Sequence, residues 1–453
     1  MKKWLSMFLA TVMALMCFAG CNSNGGESSS PSTQTTSQSS ESSQDVKNET
    51  KGDEPITLRI MWWGSQTRHD ATMKVLDMFT EKYPNVTFQA EFSAQDGYFE
   101  KLNTLVAAND APDIFQNGIR LQTYADHIEP LDEYIESGII DISGANDKLL
   151  AGGQYKGKQL GISLGSNAMM VVYDPELFRQ AGLEEPTENW TWEEFEKDCM
   201  TIKEKLDIYG VSSMEDYWFC GYYINQAGNG DQDLYNDTAT GLGYTDDSLV
   251  EDYYAMKLRL VETGAYPDPG KIAEITDIEG DLIVSGEAAM KCLYSNQFVT
   301  LLNATDRPLS IATVPRIRSD GPSGAFAKTS QLFHVAKNSQ HKVEAMTFLN
   351  FFVNDIDANK VLAAERGVPV MSQVREALKP VISEDAARTF DYFDLISQIA
   401  SRNEPGEPTG MSELQELLTT TLAEGIAFKQ ITPAEAAVKL REDATEIFNR
   451  TNP

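Results

Sequence analysis

The chain is 453 residues long and carries 68 acidic against 37 basic side chains, a formal net charge of −31. That balance argues against polyanionic partners, so no nucleic acid is expected, and it opposes adhesion of the folded body to anionic lipid. Beyond a polar N-terminal stretch about 400 residues remain, too many for one core, so two lobes are expected.

Met1-Lys2-Lys3 is a short basic start, and Trp4 to Gly20 is an almost unbroken apolar run. Residues 1–20 therefore read as a secretory signal, too short for a membrane span. Phe18-Ala19-Gly20-Cys21 resembles the bacterial lipobox, with Phe18 where a leucine is usual. The resemblance implies that Cys21 is acylated and becomes the mature N-terminus. The alternative is an ordinary cleaved signal with an incidental cysteine. Residues 21–54 are rich in Ser, Thr, Gln and Gly and nearly devoid of large apolar groups. Such a segment cannot offset its ordering entropy by burial and reads as a disordered tether with a reach of about 30 Å. A lipid-anchored body on the outer face of a bacterial cell membrane follows.

The body opens on an alternating strand, Ile56 to Trp63, broken by Gly64. Thr67 and Asp70 have capping-box spacing ahead of a helix to about Lys82. Tyr83-Pro84-Asn85 stops it, Val86 to Phe92 reads as a second strand, Tyr98 to Asn109 as a second helix, and Asp113-Ile114-Phe115 starts a third strand. This β-α-β-α-β run predicts a parallel, doubly wound sheet. Leu160 to Tyr173 reads as extended, Thr191 and Glu194 as a capping box for a helix to about Leu206, and residues 210–247 as loop-rich. Leu249 to Glu262 reads as helix, Ile283 to Tyr294 as a short helix running into a strand, and Leu309 to Pro315 as strand. Helices are expected over Lys342 to Asn354, Ser412 to Phe428 and Ala434 to Phe448, the last with Pro433 at its first position. With Cys21 lipidated, Cys199, Cys220 and Cys292 allow at most one bridge and no disulfide framework.

In open α/β sheets ligands bind beyond the carboxyl ends of the strands. Those ends deliver Trp62, Trp63 and the loop to His69, then Ser93 to Tyr98, then Gln116, Asn117 and Gly118. Aromatic faces, amides and Arg68 suit a sugar, whose C–H faces pack on rings and whose hydroxyls bridge amides. Strand alternation puts one of the two tryptophans in the core. Arg68 is either a ligand group or a solvated first-turn residue; as a ligand group it leaves an acidic sugar open.

The same residues resemble a known family. Trp62-Trp63-Gly64 with Arg68-His69, Asp96-Gly97-Tyr98 with Lys101-Leu102, and Ala111-Pro112-Asp113-Ile114 are similar to motifs of the sugar-binding lipoproteins of ABC importers, the group that includes the maltose-binding protein. Lys156 to Ile162, Tyr173 to Leu183, Gly286 to Met290, Ser295-Asn296-Gln297 and Arg366-Gly367-Val368-Pro369 resemble further recurring steps, in the family's order. Leu160 and Ser163 depart from it, where an aromatic and a proline are usual.

The resemblance implies an α/β fold of two lobes, each a mostly parallel sheet flanked by helices, joined by hinge crossings. It places the N-lobe at 55–165 plus 329–366 and the C-lobe at 166–328 plus 367–453. It implies a monomer that closes on an oligosaccharide and is then recognised by ABC permease subunits, without catalysis or cofactor. Both lobes must touch a ligand that drives closure. The implied N-lobe contacts are Trp63, Arg68, Tyr98 and Gln116. The implied C-lobe contacts are Asn167, Trp218, Tyr294, Asn296 and Gln297. Trp218 is either a stacking platform or a core tryptophan. Arg366 sits at the expected hinge, placed either to bridge the lobes or to reach the sugar.

The main rival is a secreted carbohydrate-active enzyme such as a glycoside hydrolase. Gly161-Ile162-Ser163-Leu164-Gly165 matches a serine nucleophile pattern, but that pattern needs a helix after the turn, and extended residues follow here. A glycosidase needs two carboxylates, and no pair stands out in a cleft-forming loop. Asp231, Asp233, Asn236 and Asp237 form an acidic loop that reads either as a calcium site or as a solvated surface; no metal is assigned.

Overall fold

The computed structural model describes residues 54–452 apart from 96, 119, 120 and 276. The signal, Cys21 and nearly all of the tether lie outside the described residues. Strand β1 (Ile56–Trp63) pairs in parallel with β2 (Val86–Ser93) and β3 (Ile114–Asn117). Leu58, Ile60 and Trp62 pack on one face with Val75, Leu76 and Phe79 of helix α1 (Gln66–Lys82). Met61 and Trp63 face the other way, with Tyr98, Leu102 and Val106 of helix α2 (Tyr98–Ala107). Period-two alternation therefore buries β1 on both faces, as a doubly wound sheet requires.

The chain then passes through β4 (Ile162–Ser163) and β5 (Ser166–Asn167) into β6 (Met169–Tyr173), the start of a second sheet. That sheet adds β7 (Tyr209–Val211), β8 (Ala288–Tyr294) and β9 (Ser310–Ala312), in the order β9-β6-β8-β7. The chain returns through β10 (Lys328–Thr329) to β11 (Leu332–Val335), and the first sheet reads β2-β1-β3-β11-β4. The fold is α/β. The sheets are mixed rather than mostly parallel: β11 runs antiparallel to β3 and β4, and β8 and β9 run antiparallel to β6. The strands that lead into or out of the crossings reverse direction, because they are not fed by a βαβ crossover.

Local signals account for the helix starts. Thr191 and Glu194 form a reciprocal capping box at the head of α3 (Trp192–Leu206), and Thr432 and Glu435 form another ahead of Pro433–Thr451. The box expected at Thr67–Asp70 is absent. Ser65 caps α1 instead, its Oγ accepting from Arg68 N at 3.3 Å, so Thr67 is already helical. Residues 210–247 are not mainly loop either: α4 (Asp216–Ala227) lies there, and nine of its residues are buried, polar and aromatic ones included. Burial on most sides removes the periodic stripe from which a helix is read. The helix expected over Ser412–Phe428 contains a π-helical stretch, Leu417–Glu424, where the Tyr254 hydroxyl donates to Leu418 O at 3.1 Å. Cys199, Cys220 and Cys292 are buried free thiols. No helix among the described residues is long and apolar enough to cross a membrane.

Candidate functional site between the two sheets

Three segments cross between the sheets and bond to one another. β5 and β10 pair antiparallel, Asn167 opposite Lys328 and Ser166 opposite Thr329. Ser166 N donates to Val368 O at 2.8 Å, and Val368 N donates to Ser166 O at 2.9 Å. The Ser330 hydroxyl lies within donating distance of Gly165 O, at 2.8 Å, and of Arg366 O. Two glycines permit this close approach. A Cβ on Gly165 would lie 2.3 Å from Arg366 O, and one on Gly367, at φ +108°, would lie 2.9 Å from Ser166 O.

On the side of the first sheet, the structure brings Trp63, Arg68, Tyr98 and Gln116 together with Arg366. The Trp63 ring centroid is 4.9 Å from that of Tyr98 and 5.2 Å from that of Phe99. The Tyr98 hydroxyl is committed to backbone, 2.7 Å from Gln116 O and 3.1 Å from Met61 O. Gln116 Nε2 donates to Trp63 O at 3.1 Å. Tyr98, Gln116 and Arg366 are buried, at 1, 0 and 4 % exposure, so in this conformation they support Trp63 rather than present polar atoms to a ligand. Both tryptophans of the pair are buried, Trp62 at 0 % and Trp63 at 8 %. Trp62 Nε1 donates to His69 Nδ1 at 3.1 Å. Burial, then the Arg68 charge, lowers the His69 pKa, which keeps that nitrogen an acceptor.

The two arginines are engaged. Arg68 Nε donates to Glu365 at 2.6 Å and its Nη1 to Trp63 O at 3.3 Å. Gly64 makes room for that return, since a Cβ there would lie 2.2 Å from the Arg68 side chain. Arg366 donates to Thr72 Oγ1 at 2.9 Å, lies 3.4 Å from Gln116 Oε1, and packs on Phe333 and Phe352. Burial, then repulsion from Arg68, brings its pKa down to about 9, so it remains charged near neutrality.

On the side of the second sheet, Asp216 anchors the head of α4. It accepts from Lys257 at 2.5 Å and from Tyr253 at 2.9 Å, in a buried cluster that fixes where Trp218 emerges. Trp218 is half-buried. Its ring meets Tyr294 edge-on at 5.6 Å and lies 4.9 Å below Lys328 Nζ. Lys328 lies 3.5 Å from Glu404 and 4.0 Å from Glu407. Glu404 also accepts from Thr329 N at 2.8 Å, and burial raises its pKa. The buried hydroxyl of Tyr294 and Oδ1 of Asn167 have no hydrogen-bond partner among the described residues. Asn296 and Gln297 are exposed in the turn after β8, where Gln297 Oε1 lies 3.4 Å from Tyr294 N.

A cavity of 570 Å³ adjoins this group, within the size range of small-molecule sites, roughly 300–1,000 Å³. Ala151 and Gln154, which precede β4, border it from one side. The acidic loop from Asp231 to Asp237 and the segment Arg402–Gly406 border it from the other. Arg402 packs on Tyr222 and Phe326, donates to Gly324 O at 2.7 Å, and is ion-paired with Asp233. Among the described residues no group of three or more His, Cys, Asp or Glu is placed to hold a metal ion.

The structure thus gathers two groups of the sequence-predicted residues. One is Trp63, Arg68, Tyr98, Gln116 and Arg366. The other is Trp218 and Tyr294, with Asn296 and Gln297 in the adjoining turn. They are linked through the crossing segments, where Asn167 sits opposite Lys328 and within 3.2 Å of a Cβ built on Gly367. Lys328, Glu404 and Arg402 had no local signal in the sequence. They meet Trp218, each other and Asp233 only through contacts between distant residues. Ser163 does not form a nucleophile elbow: it is 3 % exposed, lies in β4, donates to Gly165 O at 2.5 Å, and strand β5 follows.

Known proteins share this fold. The family described as bacterial extracellular solute-binding protein matches residues 63–358. A binding protein of Brucella abortus is 25% identical over 293 residues, 61% of this chain and 67% of that protein. A family 1 extracellular solute-binding protein from Alicyclobacillus acidocaldarius superposes with a TM-score of 0.79 at 25% identity, over 88% of this chain and 100% of that one. A periplasmic oligogalacturonide binding protein from Yersinia enterocolitica superposes with a TM-score of 0.75 at 22% identity, over 87% of this chain and 100% of that one. With the family match running from the end of β1 past β11, over more than half of the chain, and two sheets joined by bonded crossings, the chain belongs to the bacterial extracellular solute-binding proteins.

Proposed function

We propose that this protein binds an oligosaccharide outside the cell, in the cleft between its two sheets, and delivers it to an ABC permease by closing on it. The observation that carries the reading is a half-buried tryptophan, Trp218, with Tyr294 at its edge and Lys328 over its face, where Lys328 lies beside Glu404, a residue that borders a polar cavity. An aromatic face with hydroxyl, amide and carboxylate groups around it matches the two faces of a sugar. The Yersinia neighbour is an oligogalacturonide binding protein by name, which supports the carbohydrate class. In this reading the N-lobe is 55–165 plus 329–366 and the C-lobe 166–328 plus 367–453. The three crossings are the hinge, and Gly165 and Gly367 are its close-packed points. Trp63, Asn167, Trp218, Tyr294, Asn296 and Gln297 offer surface to the ligand. Tyr98, Gln116 and Arg366 hold the N-lobe wall, and Arg68 acts through Glu365. The protein acts as a monomer and turns nothing over.

Thermal unfolding against a panel of plant and microbial oligosaccharides tests this. A cognate sugar at a hundred times its Kd stabilises the native state by about 2.7 kcal/mol, a rise of several degrees in Tm. No shift across the panel, or release of reducing ends by the purified protein, removes the reading; the second outcome favours a glycoside hydrolase.

The anchor is part of the same proposal: Cys21 is acylated and the polar segment after it is a tether. Cys21→Ser is expected to move the protein from the membrane fraction to the medium or the soluble fraction. Unchanged membrane association would mean that something other than Cys21 holds it.

A further inference from the structure

The charges around the cleft are unequal. Arg402, a cation bordering the 570 Å³ cavity, is already paired with Asp233, while Asp231, Asp237 and Glu404 border the same cavity. Lys328 reaches the neighbouring tryptophan face but sits between Glu404 and Glu407. Arg68, the residue that left a uronate open at the level of sequence, is held by Glu365, and Arg366 is buried under two phenylalanine rings. A second observation is independent of this charge balance. Asn225 borders the cavity at 2 % exposure, spends its Nδ2 on Gln232 O at 2.9 Å, and leaves its buried Oδ1 without a partner among the described residues. A buried acceptor without a donor costs free energy until something supplies one. The wall therefore offers acceptors and negative charge together.

Resting on the carbohydrate reading, we infer that the cleft is an anion-excluding site: it takes glycan units that bring donors, neutral hydroxyls or protonated amines, and rejects uronates. A sugar carboxylate is acceptor-only near neutral pH, so it satisfies neither Asn225 Oδ1 nor Glu404, and it meets Asp231 and Asp237 as like charges. Hydroxyl and ammonium groups do the reverse. The site thus separates this chain by ligand charge from its oligogalacturonide-binding neighbour of similar fold.

A glycan array carrying neutral, amine-bearing and uronate oligosaccharides, followed by calorimetry on the hits, tests the inference with the full-length wild-type protein. Hits are expected among neutral and amine-bearing glycans, with the matched uronate oligomer weaker by at least about tenfold. Raising salt from 50 to 500 mM is expected to shrink that ratio, as screening of like charges requires. Asp231→Asn with Asp237→Asn is expected to shrink it at low salt; both side chains are exposed, and unchanged thermal unfolding reports an intact fold. Uronates binding as tightly as the neutral series, or a ratio unmoved by both salt and the double substitution, overturns anion exclusion and leaves carbohydrate binding standing. No hit of any class overturns carbohydrate binding, and the inference with it.

Discussion

Trp218→Ala is expected to weaken oligosaccharide binding by roughly 10- to 100-fold, the cost of losing a central aromatic anchor, about 1.5–3 kcal/mol. The prediction rests on where this ring stands. It meets Tyr217 at 4.8 Å, Tyr294 at 5.6 Å and Phe326 at 6.2 Å, yet it is only half-buried, so part of its face is left for a ligand. Lys328 lies over the ring at 4.9 Å and must shift or share it when a sugar stacks there. Trp218→Phe is expected to recover part of the affinity. Trp190→Ala is the control: that ring is 3 % exposed and donates to Thr313 O at 2.8 Å, so its loss lowers stability. Trp63 is a poorer probe, since at 8 % exposure its truncation opens a hole against Tyr98 and Phe99. Titration calorimetry decides the matter. An unchanged Kd in a folded Trp218→Ala protein takes that residue out of the site.

The second large effect is on stability in acid. His334 lies on β11 with 0 % exposure, its Nδ1 2.7 Å from Leu160 O and its Nε2 without a partner among the described residues. Since a carbonyl only accepts, Nδ1 carries the hydrogen, and protonation would put a cation on the bare, buried Nε2. Burial brings the pKa from 6.5 down to about 4 in the folded protein. The unfolded chain therefore takes up the proton first. The stabilisation is complete above pH 6.5 and is lost as pH falls from 6.5 to about 4, on the order of 3 kcal/mol in all. His69, also lowered, acts in the same direction. Urea unfolding of wild type and His334→Gln at pH 7, 5.5 and 4.5 measures it. The glutamine keeps a donor for Leu160 O and does not titrate, so the variant is expected to lose less stability between pH 7 and 4.5. Parallel pH curves, or an imidazole titrating near 6.5 by NMR, would refute the assignment.

Much of the molecule is legible in short stretches of sequence because the forces that shape those stretches are local. β1 alternates because its two faces meet two helices, and both the strand and its bounds, Ile56–Trp63, are readable. Thr191 with Glu194 and Thr432 with Pro433 and Glu435 announce helix starts, since a capping box is settled within four residues. The loops that carry Trp63, Arg68 and Gln116 to one place follow from strand order alone. Where several local signals compete, reading fails. Ser65 takes the cap expected of Thr67, because it stands first after the glycine that ends β1. The helix α4 is hidden because it is buried on most sides and has no polar stripe to set against an apolar one.

The sequence by itself determined the family, the α/β class and the order of elements in the first β-α-β-α-β run. The family rests on the resemblance of short motifs in a fixed order, and the rest on periodicity, caps and strand ends within a few residues. Only the tertiary structure decided what the side chains of the candidate residues are free to do. Arg68 is engaged by a carboxylate 297 residues away, Glu404 reaches β10 across 75, and the Tyr98 hydroxyl is taken up by the carbonyls of β1 and β3. Charge pairing and burial at such separations are set by how the sheets and crossings pack, and no spacing along the chain encodes them.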